Sequence, residues 1–113
     1  MTVIDNENVV MYDVDDTLVM WGTTSILNEE FICPYSNSVH HLLPNTKHID
    51  LLKKHKGRGL CVIVWSAGGA LWAKEVITKL KLESYVDLII TKPNKYVDDL
   101  QASEILGTRI YLK

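Results

Sequence analysis

The residues of this chain with chemistry to offer are concentrated where apolar runs stop. Val9-Val10-Met11-Tyr12 is followed at once by Asp13-Val14-Asp15-Asp16-Thr17. Ionised carboxylates packed together repel one another and are costly to desolvate, so a cluster of this kind at the end of a core strand calls for a divalent cation. Asp13 and Asp15 stand i, i+2, a spacing that on extended chain points both side chains to one side. One acid of such a pair can act as a nucleophile while the other moves a proton. Three later runs end in polar groups as well: residues 60–65 in Ser66, residues 86–90 in Thr91-Lys92-Pro93, and the short Tyr96-Val97 in Asp98-Asp99. Each alone has an ordinary explanation as a cap or a solvated loop residue. Together, at successive strand ends, they supply a nucleophile, a proton donor, a hydroxyl, a positive charge and a metal site.

A parallel sheet would bring these ends to one edge. Residues 8–13, 60–65, 86–90, 96–97 and 109–112 read as strands, and the near-continuous apolar run of 60–65 is that of a strand covered on both faces. Asn45 after Pro44 is a credible N-cap for a helix running to about Lys56, stopped by Gly57 and Gly59. Leu71, Ala73, Val76, Ile77 and Leu80 give residues 70–82 a helical period, and residues 100–106 have room for one or two helical turns before Gly107. Residues 17–44, with Gly22, Pro34 and Pro44 and only short apolar pieces, lack that period. They read as a β-hairpin-type flap, about residues 18–44, over the carboxylates. The expected fold class is α/β: a three-layer α/β/α, Rossmann-like parallel sheet of about five strands with helices on both faces and right-handed crossovers. Ligands of such sheets sit at the carboxyl ends of the strands, where these acids fall.

Composition sets the bounds. At 113 residues the chain is expected to be a single domain, 1–113. An apolar share of 47% with 23% charged residues is that of a soluble globular protein, and a net charge of −2 provides no global field to attract nucleic acid or an anionic membrane. Cys33 and Cys61 lack metal-ligand spacing and no signal peptide opens the sequence, so a reducing cytoplasm is the expected compartment. No apolar run is long enough to span a bilayer, and no membrane partner is expected.

In order and placement, Asp13-Val14-Asp15-Asp16-Thr17 resembles motif I (DxDxT) of the haloacid dehalogenase (HAD) superfamily of hydrolases. Ser66 in Val-Trp-Ser-Ala-Gly-Gly resembles motif II, Lys92 before Pro93 motif III, and Asp98-Asp99 motif IV in its paired-acid form. The resemblance spans about residues 8–112, and Lys-Pro-x-x-Tyr-Val-Asp-Asp (residues 92–99) is similar to short hydrolases encoded by phages, which would place the chain in a host cytoplasm. It implies a HAD-like catalytic domain without a cap domain, acting as a phosphatase through a phosphoaspartate. Asp13 would attack phosphorus, Asp15 would protonate the leaving oxygen and then activate water, and Ser66 and Lys92 would hold phosphoryl oxygens. It also implies Mg²⁺, a hard ion suited to an all-oxygen site, bound by Asp13, the backbone carbonyl of Asp15, and Asp98 or Asp99, with Asp98 preferred. Backbone N–H groups around residues 67–69 would add donors, Thr17 would tie the loop, and Asp16 reads as a turn or cap residue.

The substrate this implies is a phosphomonoester. A capless site suits a macromolecule such as a phosphorylated nucleic-acid end or a protein, and oligomerisation is another way to build a lid. A nucleotide phosphatase is the rival enzyme, and a HAD-like module that binds metal or phosphate without turnover the rival of another class. A receiver-type signalling domain fails on order, because the middle strand ends in Ser66 where such a domain needs an aspartate. His40-His41 with His48 or His55 do not read as a metal site: adjacent strand residues face opposite ways, and the two helix histidines fall on a basic face expected to be solvated. The basic segment Lys47, Lys53, Lys54, Lys56 and Arg58 reads as a solvated helix face rather than a nucleic-acid track. Trp21 and Tyr35 either stack on an aromatic leaving group or cover the loop, and Trp65 and Trp72 are expected in or near the core.

Overall fold

The computed structural model describes residues 1–113. Val9–Tyr12 forms β1 and leads directly into the acids. Two short antiparallel pairings follow: Val19–Met20 (β2), Glu29–Ile32 (β3) and Val39–Pro44 (β4) make a sheet in the order β2-β4-β3. These antiparallel strands fall within residues 18–44, the segment expected as a flap and so named below. It is seated by Phe31 and Leu42, both fully buried in the core, and by its register Phe31↔His40 and Glu29↔Leu42.

Thr46–Gly57 forms α1, with Asn45 in extended conformation before it. The Asn45 side chain does not cap the helix; its amide lies 3.1 Å from His48 Nδ1. The buried stripe of α1 is His48, Leu52 and His55, an i, i+4, i+7 face. The two histidines expected on a solvated face are therefore core residues. Their seven-residue spacing about Leu52 is the period of a buried helix stripe, and each finds a polar partner: His55 Nδ1 with the Tyr12 hydroxyl at 2.6 Å, and His48 with two backbone groups.

Cys61–Ser66 (β5) is buried at every position but Trp65, as its unbroken apolar run requires. Ala70–Lys79 (α2) packs Trp72, Ala73, Val76 and Ile77 into the core. It ends three residues before the expected stop. Lys81 takes φ 57°, its N–H bonds to the Thr78 carbonyl, and the N–H of Leu82 bonds to the Ile77 carbonyl at 2.9 Å, which is a Schellman closure. Fully buried Leu82 is drawn back onto the core by this turn. After a 3₁₀ turn at Glu83–Tyr85, Leu88–Thr91 forms β6.

The principal sheet is parallel, in the order β1-β5-β6, with Tyr12 opposite Val64 and Ser66 opposite Thr91. The class is thus α/β with a three-strand parallel sheet and helices packed against it, and two of the five expected strands do not form. Tyr96 and Val97 are exposed and unpaired: two residues between Pro93-Asn94 and a turn at Asp98 are too few to hold a ladder. Residues 109–112 are held by side-chain contacts to the start of α1 and the acid loop instead of by strand pairing. Between them, Ala102–Ile105 forms a single helical turn, α3. No helix is long and apolar enough to cross a membrane.

Candidate functional site

The parallel register places three strand ends side by side, and with them three of the expected groups. β1 delivers Asp13, β5 delivers Ser66, and β6 delivers Lys92. Lys92 Nζ lies 3.1 Å from Asp13 Oδ1, with both side chains about one-third exposed. The same ammonium stands 5.6 Å from the centre of the Trp65 ring. Ser66 is fully buried; its carbonyl accepts the Lys92 N–H at 2.9 Å and its hydroxyl accepts the Gly68 N–H at 3.0 Å.

The acid loop is wound on Val14. That side chain is fully buried, and its carbonyl accepts N–H groups from Thr17, Leu18 and Val19. With Val14 turned inward, Asp13 and Asp15 are left half-buried on either side of it, as their spacing requires. Thr17 donates its hydroxyl to Asp13 Oδ2 at 3.3 Å. Asp16 takes the left-handed conformation, φ 58°, which Asp tolerates in turns, and accepts the Trp21 N–H at 3.0 Å. It shapes the loop and stays out of the site.

Asp15 has partners that composition and spacing did not announce. Its Oδ1 accepts the indole N–H of Trp21 at 2.8 Å and that of Trp72 at 3.1 Å. Trp72 is buried as expected for a core residue, yet its nitrogen reaches the acid. His40 completes an aromatic wall, 4.9 Å from the Trp21 ring and 6.0 Å from that of Trp72.

Two sets of expected donors are arranged differently from the expectation. From Gly68 to Leu71 the N–H groups at the start of α2 are already engaged, leaving only that of Ala67 among residues 67–69: Gly68 bonds to the Ser66 hydroxyl, Gly69 to the Ser66 carbonyl, Ala70 to the Thr91 hydroxyl at 3.0 Å and Leu71 to the Tyr35 hydroxyl at 3.2 Å. Tyr35 reaches that point because Gly69 has no side chain; a Cβ there would fall 2.2 Å from the tyrosine oxygen. The second concerns the cation. Asp98 turns back on its own chain, its Oδ1 accepting the Leu100 N–H at 2.9 Å, and Asp98 and Asp99 are both exposed. No three His, Cys, Asp or Glu side chains are grouped to hold a metal ion. Of the expected oxygen donors, the Asp13 carboxylate lies at the sheet edge beside Lys92, and Asp98 and Asp99 are not grouped with it.

The remaining charged pair with structural weight is remote from this edge. Asp87 accepts from Lys56 Nζ at 2.6 Å and from the Val62 N–H at 2.8 Å, and the lysine ammonium followed by the backbone donor hold its carboxyl below the usual range. It ties the end of α1 to β5. Compared with protein-family models, with curated proteins and with solved structures, the chain matches none.

Proposed function

We propose that the chain is a phosphomonoester hydrolase of the HAD-like type, its three-strand sheet being the central part of that fold. The observation that carries this reading is the 3.1 Å pair between Lys92 and Asp13 at neighbouring carboxyl ends of a parallel sheet, with Ser66 between them in strand order. An acid whose task was only to end a strand would not need a lysine delivered from the far edge strand.

In this reading Asp13 attacks phosphorus, the bond to the leaving oxygen breaks, and Asp15 gives that oxygen its proton. Asp15 then takes a proton from water, the water oxygen attacks phosphorus, and the bond to Asp13 breaks, releasing phosphate and restoring the carboxylate. Lys92 exchanges its contact with Asp13 for the phosphoryl oxygens, offsetting charge where it develops. The Ser66 hydroxyl, already accepting from Gly68, has its own hydrogen to donate. Mg²⁺ dependence belongs to the proposal, with Asp13 and the Asp15 carbonyl as donors and Asp98 or Asp99 as the third, so ion binding requires residues 93–101 to leave their present positions. When bound, the ion would neutralise charge on the transferring group.

The substrate class proposed is a phosphorylated nucleic-acid end, a phosphoprotein or a nucleotide. The absence of a third acid from the site favours one rival, a module that binds phosphate without turning it over. Phosphate release from an aryl phosphate in the presence of Mg²⁺, abolished in Asp13→Asn, is the expected result. Failure to release phosphate from aryl phosphates, nucleotides, phosphopeptides and 3′- or 5′-phosphorylated oligonucleotides alike would leave the binding module as the better reading.

A further inference from the structure

The carboxylate of Asp15 is held more closely than a loop acid needs to be. Both of its donors are indoles, and both converge on one oxygen: Trp21 Nε1 at 2.8 Å and Trp72 Nε1 at 3.1 Å from Oδ1. They come from different parts of the fold. Trp21 directly follows β2 in the flap and is 41% exposed, whereas Trp72 is on α2 and only 5% exposed. Their rings are 6.4 Å apart and inclined at 49°, so neither is merely stacked on the other.

An indole nitrogen donates and never accepts. Two such donors therefore commit Oδ1 as an acceptor. They also fix a torsion that is otherwise broad and nearly two-fold, since the two carboxylate oxygens of a free aspartate exchange by rotation about χ2. The second oxygen accepts neither indole: it faces Gly68, where a built Cβ would lie 3.8 Å from Asp15 Oδ2, 3.3 Å from the Ser66 hydroxyl oxygen and 3.3 Å from Trp72 Cδ1. The two oxygens of one carboxylate are thus made inequivalent by the fold.

Resting on the phosphatase reading, we propose that Trp21 and Trp72 are positioning residues for Asp15, holding it by Oδ1 so that Oδ2 is the oxygen that hands the proton to the leaving group. Because Trp21 belongs to the flap and Trp72 to the core, the acid is fully oriented only when the flap is seated. Asp15 also serves as the base that hydrolyses the phosphoaspartate, a step common to every ester, so this geometry distinguishes one ester from another only in the first step. It matters where the departing oxygen needs a proton, and is of little consequence where the leaving group is stable as an anion.

That selectivity provides the test. Trp21→Phe and Trp72→Phe keep an aromatic ring and remove the donor. With Mg²⁺ present, each is compared with the unsubstituted protein on 4-nitrophenyl phosphate, whose phenolate departs without protonation, and on a simple alkyl phosphate, whose alkoxide does not. General-acid help is worth about 10²–10⁴-fold, and misorientation is expected to forfeit about 10–100-fold of it. The expected result is read in kcat/KM, which reports only the steps up to departure of the leaving group: reduced by that factor on the alkyl ester, and within about threefold of the unsubstituted protein on the aryl ester. Equal losses on the two esters, or none on either, would overturn the proposal while leaving the phosphatase reading intact. An unsubstituted protein without Asp13-dependent turnover would overturn both. Trp21 is at the surface, so Trp21→Phe keeps the test valid if Trp72→Phe fails to fold. A second readout does not depend on activity. Of the three tryptophans, two indole N–H resonances, those of Trp21 and Trp72, should move in Asp15→Asn while that of Trp65 stays; if neither moves, the assignment of donors is wrong.

Discussion

His55 shows how a buried polar residue writes itself into pH dependence. Burial pushes its imidazole below the ordinary value, and the Arg58 charge one helical turn away pushes in the same direction. Its partner Tyr12 is pushed up by burial, so the pair is held in its uncharged form. A histidine whose folded-state proton affinity is lowered contributes stability that is complete above its unfolded value of about 6.5 and is lost as pH falls through and below it. Asp87 acts in the same direction at lower pH, because its depressed carboxyl value means that its contribution fades only below about pH 4. Between pH 7.5 and 5, therefore, the fall in Tm is expected to come in part from His55. Thermal melts of the unsubstituted protein and of His55→Gln across that interval should show a shallower fall in the variant. Parallel curves would mean that the ring titrates alike in both states.

At the scale of elements, the contact between flap and α2 is the feature with consequences for access. Tyr35 extends from the β3–β4 turn to the first turn of α2, and the Ile32 N–H is accepted by Glu75 of the same helix at 2.8 Å. Gly69 makes the first of these contacts sterically feasible, at φ 108° and with no Cβ to meet the tyrosine ring. Gly69→Ala is expected to expel Tyr35 and to cost about 1–3 kcal/mol from strain at a glycine-only conformation. Hydrogen exchange at residues 29–44 should then accelerate relative to β5; unchanged exchange would show that the core anchors Phe31 and Leu42 seat the flap alone. The elements themselves were legible to different degrees for physical reasons. β5 and the body of α2 have unbroken patterns. The end of α2 is set by Lys81 in a conformation that glycine usually signals, so the sequence carried no warning of it. The stripe of His48, Leu52 and His55 was hidden by reading histidine and lysine as one basic face, although only the lysines and Arg58 belong to the outside of α1.

Across the whole molecule, what was legible of the site follows the sheet. Asp13, Ser66 and Lys92 could be placed on one edge from strand periodicity because β1, β5 and β6 each have four or more residues in register. Asp98 and Asp99 could not, since their carrier is a two-residue run whose turn is decided by the Asp98 side chain itself. The closing segment, residues 109–112, reads as a strand in the sequence, whereas its anchors are polar and distant in sequence. The Tyr111 hydroxyl donates to the Asp16 carbonyl at 2.9 Å, and the Leu112 N–H donates to His48 Nε2 at 2.8 Å. With Nε2 accepting, Nδ1 is the donor to the Thr17 carbonyl, also at 2.8 Å. The His48 and Tyr111 rings meet edge to face at 4.9 Å. One histidine thus joins the closing segment, α1 and the loop that carries the acids. Tyr111→Phe is expected to cost about 1 kcal/mol, a single hydrogen bond, and His48→Phe about 1–3 kcal/mol, because it removes the partners of a part-buried carbonyl and an N–H together. Residues in contact within one network couple by about 0.5 kcal/mol or more. Urea denaturation of the two single variants and the double variant should therefore show non-additive losses. Additivity to within about 0.3 kcal/mol would mean that the closing segment and the acid loop are held independently, so that loosening one leaves the geometry of Asp13 and Asp15 intact.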